Sequence, residues 1–146
     1  MDKQDMTQQV WQRVLASREE GTKQDLRQLQ REAMELASVY RAVSSRLTGK
    51  QQELAKRLYA GERANGAALE GIGILSRQSG EQLKLWQPGK EETQKLLERC
   101  YHRTRRCMTE YLARSAEGEF GVVFEKLAKR EGEQCVLLAQ LLGNLR

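Results

Sequence analysis

Proline is nearly missing from this chain, with 1 in 146 residues, and aromatic residues make up only 5%. Strands are drawn from β-branched and aromatic residues and are punctuated by Pro and Gly turns, so this composition argues against a sheet. The abundant Ala, Leu, Gln, Glu, Lys and Arg argue for helix instead. With 1 histidine, no Gly-x-Ser-x-Gly and no phosphate loop, nucleophilic catalysis and nucleotide binding have no support in the sequence. There are 3 cysteines. Cys100 and Cys107 lie two turns apart on one helical stretch, about 10 Å by the helical rise, and cannot bridge each other. An odd count without paired spacing fits a reducing compartment and reads as half-buried packing thiols. No apolar run approaches a membrane span, and the opening MDKQDMTQQ lacks a signal-peptide core, so a soluble cytoplasmic protein is the expectation.

The formal charge is +5 with 31% charged residues, and both signs are interspersed as on a solvated helical surface. One basic cluster stands out: Arg99, His102, Arg103, Arg105 and Arg106. It could meet phosphate, but no aromatic-interleaved groove accompanies it. Binding to nucleic acid or another polyanion is therefore a minor alternative.

What the chain does have is helical periodicity. Met6, Val10, Trp11, Val14 and Leu15 give residues 3–19 a short amphipathic pattern, expected as an N-terminal helix ahead of a main domain at 23–146. Leu26, Leu29, Ala33, Leu36, Tyr40, Val43 and Leu47 keep three/four spacing through a first long helix, about 23–48. Gly49 suits a left-handed turn before a second helix at about 51–77, so the two make an antiparallel hairpin. A connection containing Trp86 and bracketed by Ser79-Gly80 and Pro88-Gly89 follows. Extended, it reaches about 40 Å, close to the roughly 37 Å of a 25-residue helix. It is read as a crossover pinned by Trp86, after which helices at about 91–116 and from near Glu119 form a second hairpin. The predicted fold is an all-α four-helix bundle of two hairpins joined by this crossover.

The seam of the last helix is interrupted. Phe120, Phe124, Leu127, Leu138, Leu141 and Leu145 share one stripe, but Glu131 and Gln134 sit in its middle. On the second helix Leu54, Leu58, Leu69, Ile72 and Leu75 likewise flank Glu62 and Asn65. A buried carboxylate must be paired, protonated or bound to a metal. Counting outward from the turns puts Ala33/Leu36, Glu62/Asn65, Tyr101/Thr104 and Glu131/Gln134 in one mid-bundle layer. Gly71-Ile72-Gly73 lies inside the second helix and reads as a place for close helix packing, not as a ligand loop.

FGVVFEKLAKREGEQCVLL and LYAGERANGAALEGI carry a resemblance to the ferritin-like superfamily, most closely its rubrerythrin-like members, over roughly residues 23–145. The resemblance implies a ferritin-like bundle in which the second and fourth helices each give a Glu-x-x-His pair and the other two one Glu each. Glu62 and Glu131 match as metal positions. Asn65 and Gln134 stand where histidines would, Ala33 stands on the first helix, and Thr104 or Tyr101 on the third. Glu32, Glu35, Glu98 and Glu110 are near in sequence, but a one-residue slip turns a side chain about 100° away from the centre. Asn and Gln offer only a carbonyl oxygen in place of imidazole. The expected protein is a ferritin-like bundle with a degenerate di-iron site and no resident cofactor, in a structural or interaction role that a homodimer would suit. The alternative retains iron or manganese at Glu62 and Glu131 in an oxidoreductase handling oxygen or peroxide. On the first of these readings Glu131→Leu is expected to leave stability unchanged or raise it.

Overall fold

The computed structural model describes residues 26–76 and 84–145. Among these the chain is four helices with no strand: α1 over 26–46, α2 over Gly49–Leu75, α3 over Thr93–Ser115 and α4 over Gly121–Leu145. No helix among the described residues is long and apolar enough to cross a membrane. The amphipathic stretch expected at 3–19 and the Ser79-Gly80 pair lie outside the described residues.

Both tight joins turn on a glycine in the left-handed region, Gly49 at φ 59° and Gly118 at φ 73°. A Cβ is strained there, so the chain reverses at the positions where it carries none.

The core divides into two clusters. One gathers Val39, Tyr40 and Val43 of α1, Ala55 and Leu58 of α2, Leu96 and Leu97 of α3, and Leu138 and Leu141 of α4. The other gathers Leu26 and Leu29, Leu69 and Ile72, Cys107 and Tyr111, and Phe124 and Leu127. The first cluster thus takes the late half of α1, the early halves of α2 and α3, and the late half of α4. Helix directions follow: α1 runs against α2, α3 runs against α4, and α2 and α3 point the same way. Two parallel helices in succession need a return connection, of which residues 84–92 are the described part before α3. Gln51 Nε2 donating to the Asn144 carbonyl at 3.1 Å ties the start of α2 to the end of α4.

Residues 84–92 are held against α1 largely through their main chain. Arg46 donates to the carbonyls of Gly89 and Glu91, both at 2.7 Å. The Trp86 N–H donates to Glu35 Oε2 at 3.0 Å. The expected pinning by Trp86 is therefore made by its backbone, while the residue as a whole stays 41% exposed and helps line a cavity of about 110 Å³ with Val39, Leu96 and Cys100. Glu35 also accepts from Arg103 of α3 at 2.9 Å, and Glu32 from the same guanidinium at 2.7 Å. One arginine fork thus clasps two carboxylates on α1, and one of those holds the crossover. Arg103, Glu32 and Glu35 retain only 18%, 24% and 11% side-chain exposure, so water screens this clasp less than a surface pair.

Removing the fork leaves two half-buried carboxylates facing each other without a cation. Arg103→Ala should cost about 1–3 kcal/mol in a denaturant melt and speed hydrogen exchange at the Trp86 amide. Unchanged stability and exchange would mean that the clasp carries no weight.

Candidate functional site

Between the two apolar clusters lies a polar layer. Glu62, Asn65, Thr104, Glu131 and Gln134 are all buried, at 0–2% exposure, with Ala33 and Leu36 closing the α1 side at 0%. Helical spacing explains the placement: residues three apart on α2 and on α4 share the inward face. The layer holds every residue expected in it except Tyr101, which is half-buried and packs at the margin of the first cluster. On α3 the inward positions are Leu97, Cys100, Thr104, Cys107 and Tyr111. Cys100 and Cys107, expected half-buried, are buried core residues, because a thiol packs as a small hydrophobe.

Two amide side chains organise the layer. Asn65 Nδ2 donates to Glu131 Oε1 at 2.6 Å, joining α2 to α4. Its Oδ1 accepts from Arg130 Nη1 at 2.8 Å, which brings a guanidinium from the rim to the edge of the layer. Gln134 Nε2 donates to the Leu58 carbonyl at 2.7 Å, a bond from α4 into the backbone of α2. Gln134 takes this position against Gly61: a Cβ there would stand 2.5 Å from Gln134 Oε1 and displace the amide.

Glu62 and Glu131 are close enough for each to shift the other's titration. With both ionised, Glu62 Oε1, Glu62 Oε2 and Glu131 Oε2 have no donor, a state that burial makes very costly. One proton between the two carboxyls turns an acceptor into a donor and relieves the repulsion. The electrostatics point the same way. Burial pushes Glu131 up to about 7, against the pull of its bonds to Glu62 and Asn65 and of the Arg130 charge. Burial and then the Glu131 charge hold Glu62 well above the usual carboxylate range. The pair keeps at least one proton at neutral pH.

The rest of the surroundings are acids held neutral. Burial raises the Tyr40 hydroxyl, which lies beside Thr104 and Cys100, well above its ordinary range, and pushes the Cys100 thiol up to about 12. Cys107 and Tyr111 are raised for the same reason. Neither thiol is a ready nucleophile in this setting.

The iron or manganese centre that the resemblance implies can be tested against these side chains. Such a centre needs several oxygen and imidazole donors converging on each ion. Here α1 offers Ala33 and Leu36, and α3 offers Thr104. Glu32 and Glu35 point outward into the Arg103 clasp. The amide nitrogens of Asn65 and Gln134, where the resemblance would place histidines, are both donors in use. Among the described residues no third His, Cys, Asp or Glu joins Glu62 and Glu131 in a metal-binding group. These residues do not fit a two-metal centre. Sequence reasoning missed Arg130 and the Arg103 clasp. A guanidinium immediately before a buried carboxylate was the only available sign of the first, and the second joins residues about 70 positions apart.

Asn65 revises the expectation for Glu131→Leu. Leucine would strip the acceptor from a buried amide, so a loss of about 1–3 kcal/mol is expected, whereas Glu131→Gln keeps an acceptor and should stay within about 1 kcal/mol of wild type. Equal stability of the two variants in urea would contradict the network.

The raised carboxyls also set a pH dependence. A folded state that binds a proton more tightly than the unfolded chain is stabilised most below the ordinary carboxylate value of about 4.3. That contribution is lost as pH rises through about 7 for Glu131, at up to about 1.4 kcal/mol per pH unit. Wild type should therefore lose stability between pH 5 and 8 relative to Glu62→Gln/Glu131→Gln, and parallel curves for the two proteins would refute this.

No protein-family model matches the chain, and no curated protein and no solved structure is similar to it.

Proposed function

We propose that the chain is a structural or interaction protein built on a ferritin-like, rubrerythrin-like bundle, whose central layer is closed by a shared proton and two amides and does no metal chemistry. The observation that carries this reading is the direction of the amides. Asn65 and Gln134 stand where ligands would be needed, and they present N–H groups to Glu131 and to the Leu58 carbonyl. An N–H facing a carboxylate stabilises that carboxylate; it cannot coordinate a cation. The hairpin–crossover–hairpin order, with the layer midway along four helices, supports the ferritin-like ancestry of the fold.

One observation favours the alternative. Three of the four carboxylate oxygens of Glu62 and Glu131 lack a donor when both are ionised, and an iron- or manganese-dependent oxidoreductase would direct such oxygens at its metal. A proton satisfies the same oxygens at a lower demand for further ligands. The polyanion reading draws less support, because Arg103 is committed to Glu32 and Glu35 and Arg99 pairs with Glu91 at 2.6 Å.

Metal content separates the two readings. Protein expressed in iron-rich medium and dialysed should carry well under one metal ion per chain, and added ferrous iron should oxidise no faster than in buffer. A full pair of tightly held ions, or iron oxidation abolished by Glu62→Ala, would establish the oxidoreductase instead.

A further inference from the structure

The outward face of α2 is unlike a solvated helix surface. Ala60, Ala64, Ala67, Gly71 and Ile74 recur at the three/four spacing that puts them in one line, and all but the half-buried Gly71 are exposed. Ile74 is 68% and Leu75 74% exposed at the end of the line. Solvated helix faces normally carry Lys, Glu and Arg in such places.

Gly71 is the least expected of these residues. A glycine inside a helix is among the least favourable choices, and a fold usually explains it by a close neighbour. Gly61 has such a neighbour, since a Cβ would run into Gln134, while at Gly66 a Cβ would make ordinary contact with Ala33 and Met34. At Gly71 a Cβ would meet nothing within 4 Å. Among the described residues nothing packs closely enough to require the missing methyl there.

The charges beside the line choose the occupant. Arg63 and Glu70 are exposed on the same flank, two turns apart, and among the described residues neither has an ion-pair partner. A second α2 laid antiparallel, with the two-fold axis near Ala67, sets Arg63 of each copy beside Glu70 of the other. A parallel copy, related by a two-fold along the helix axes, would put the two charged flanks on opposite sides of the contact and leave both charges unpaired. A line of Ala and Gly lets helix axes approach to about 8 Å at a shallow crossing angle, and Ile74 and Leu75 would be covered at both ends of the contact.

We propose that α2 is a self-association surface: two copies of this chain pair through antiparallel α2 helices along Ala60, Ala64, Ala67 and Gly71, with reciprocal Arg63–Glu70 ion pairs. This isologous arrangement closes on itself and gives a dimer, not a filament. It deepens the interaction role proposed above, and its test is separate from the metal titration, because both charges lie on the outer face and leave Glu62 and Glu131 untouched.

Sedimentation equilibrium of the full chain tests it. Wild type should be a dimer. Arg63→Glu and Glu70→Arg should each weaken the dimer at least about tenfold, since each sets like charges together twice. The combined exchange Arg63→Glu/Glu70→Arg should restore association, because it swaps the two ends of each pair. Circular dichroism would verify that every variant is folded, as expected for exposed positions. The proposal is overturned by a wild-type monomer at concentrations on the order of 100 µM, where even weak dimers form. It is equally overturned by a dimer indifferent to the single reversals, or by an exchange variant that does not recover.

Discussion

A carboxyl group inside a protein must be neutral or partnered, and Glu62 and Glu131 meet that constraint together. They occupy the middle of the bundle, at 1% and 0% exposure, where each alone would be a strongly destabilising charge. A shared proton, the Asn65 amide and the nearby Arg130 guanidinium make the layer tolerable. The rest of the core accommodates it: one apolar cluster lies on each side, and Gly61 gives up its side chain so that Gln134 can reach the α2 backbone. The layer also fixes register. A one-residue slide of α4 against α2 would strand Glu131 among leucines and leave Asn65 without an acceptor.

A second polar device sits at the surface of the same bundle. Arg103 bridges α3 to two carboxylates of α1, and Glu35 passes the connection on to the crossover through the Trp86 N–H. The two devices divide the work by depth. The buried one joins α2 to α4 and depends on neutrality; the half-buried one joins α1 to α3 and depends on charge. Hydrophobic burial alone, being without direction, would specify neither register nor partner helix.

Much of this was legible in the spacing of residues. Three/four periodicity located the helices to within a few residues, Gly49 marked the first hairpin, and the interrupted seams identified Glu62, Asn65, Glu131 and Gln134 as buried. Counting from the turns brought them to one level. Tyr101 was misplaced because Cys100 takes its inward position, and a thiol on a helix between arginines gives little periodic signal. Hydrogen-bond direction was not legible at all. Whether Asn65 turns its oxygen or its nitrogen toward Glu131 depends on Arg130, and that choice separates a ligand-like layer from a self-satisfied one. The Arg103 clasp was hidden for a related reason: Glu32 and Glu35 read correctly as facing outward, but their cation comes from a distant helix.

The central claim is that a proton, held between two carboxyls, neutralises the layer. Carbon-13 NMR of the glutamate side-chain carboxyls, followed from pH 4 to 9, addresses it directly. One of the pair should remain protonated at neutral pH, and both should titrate above the ordinary carboxylate value near 4.3. Two buried glutamates that both ionise near that value would contradict the account.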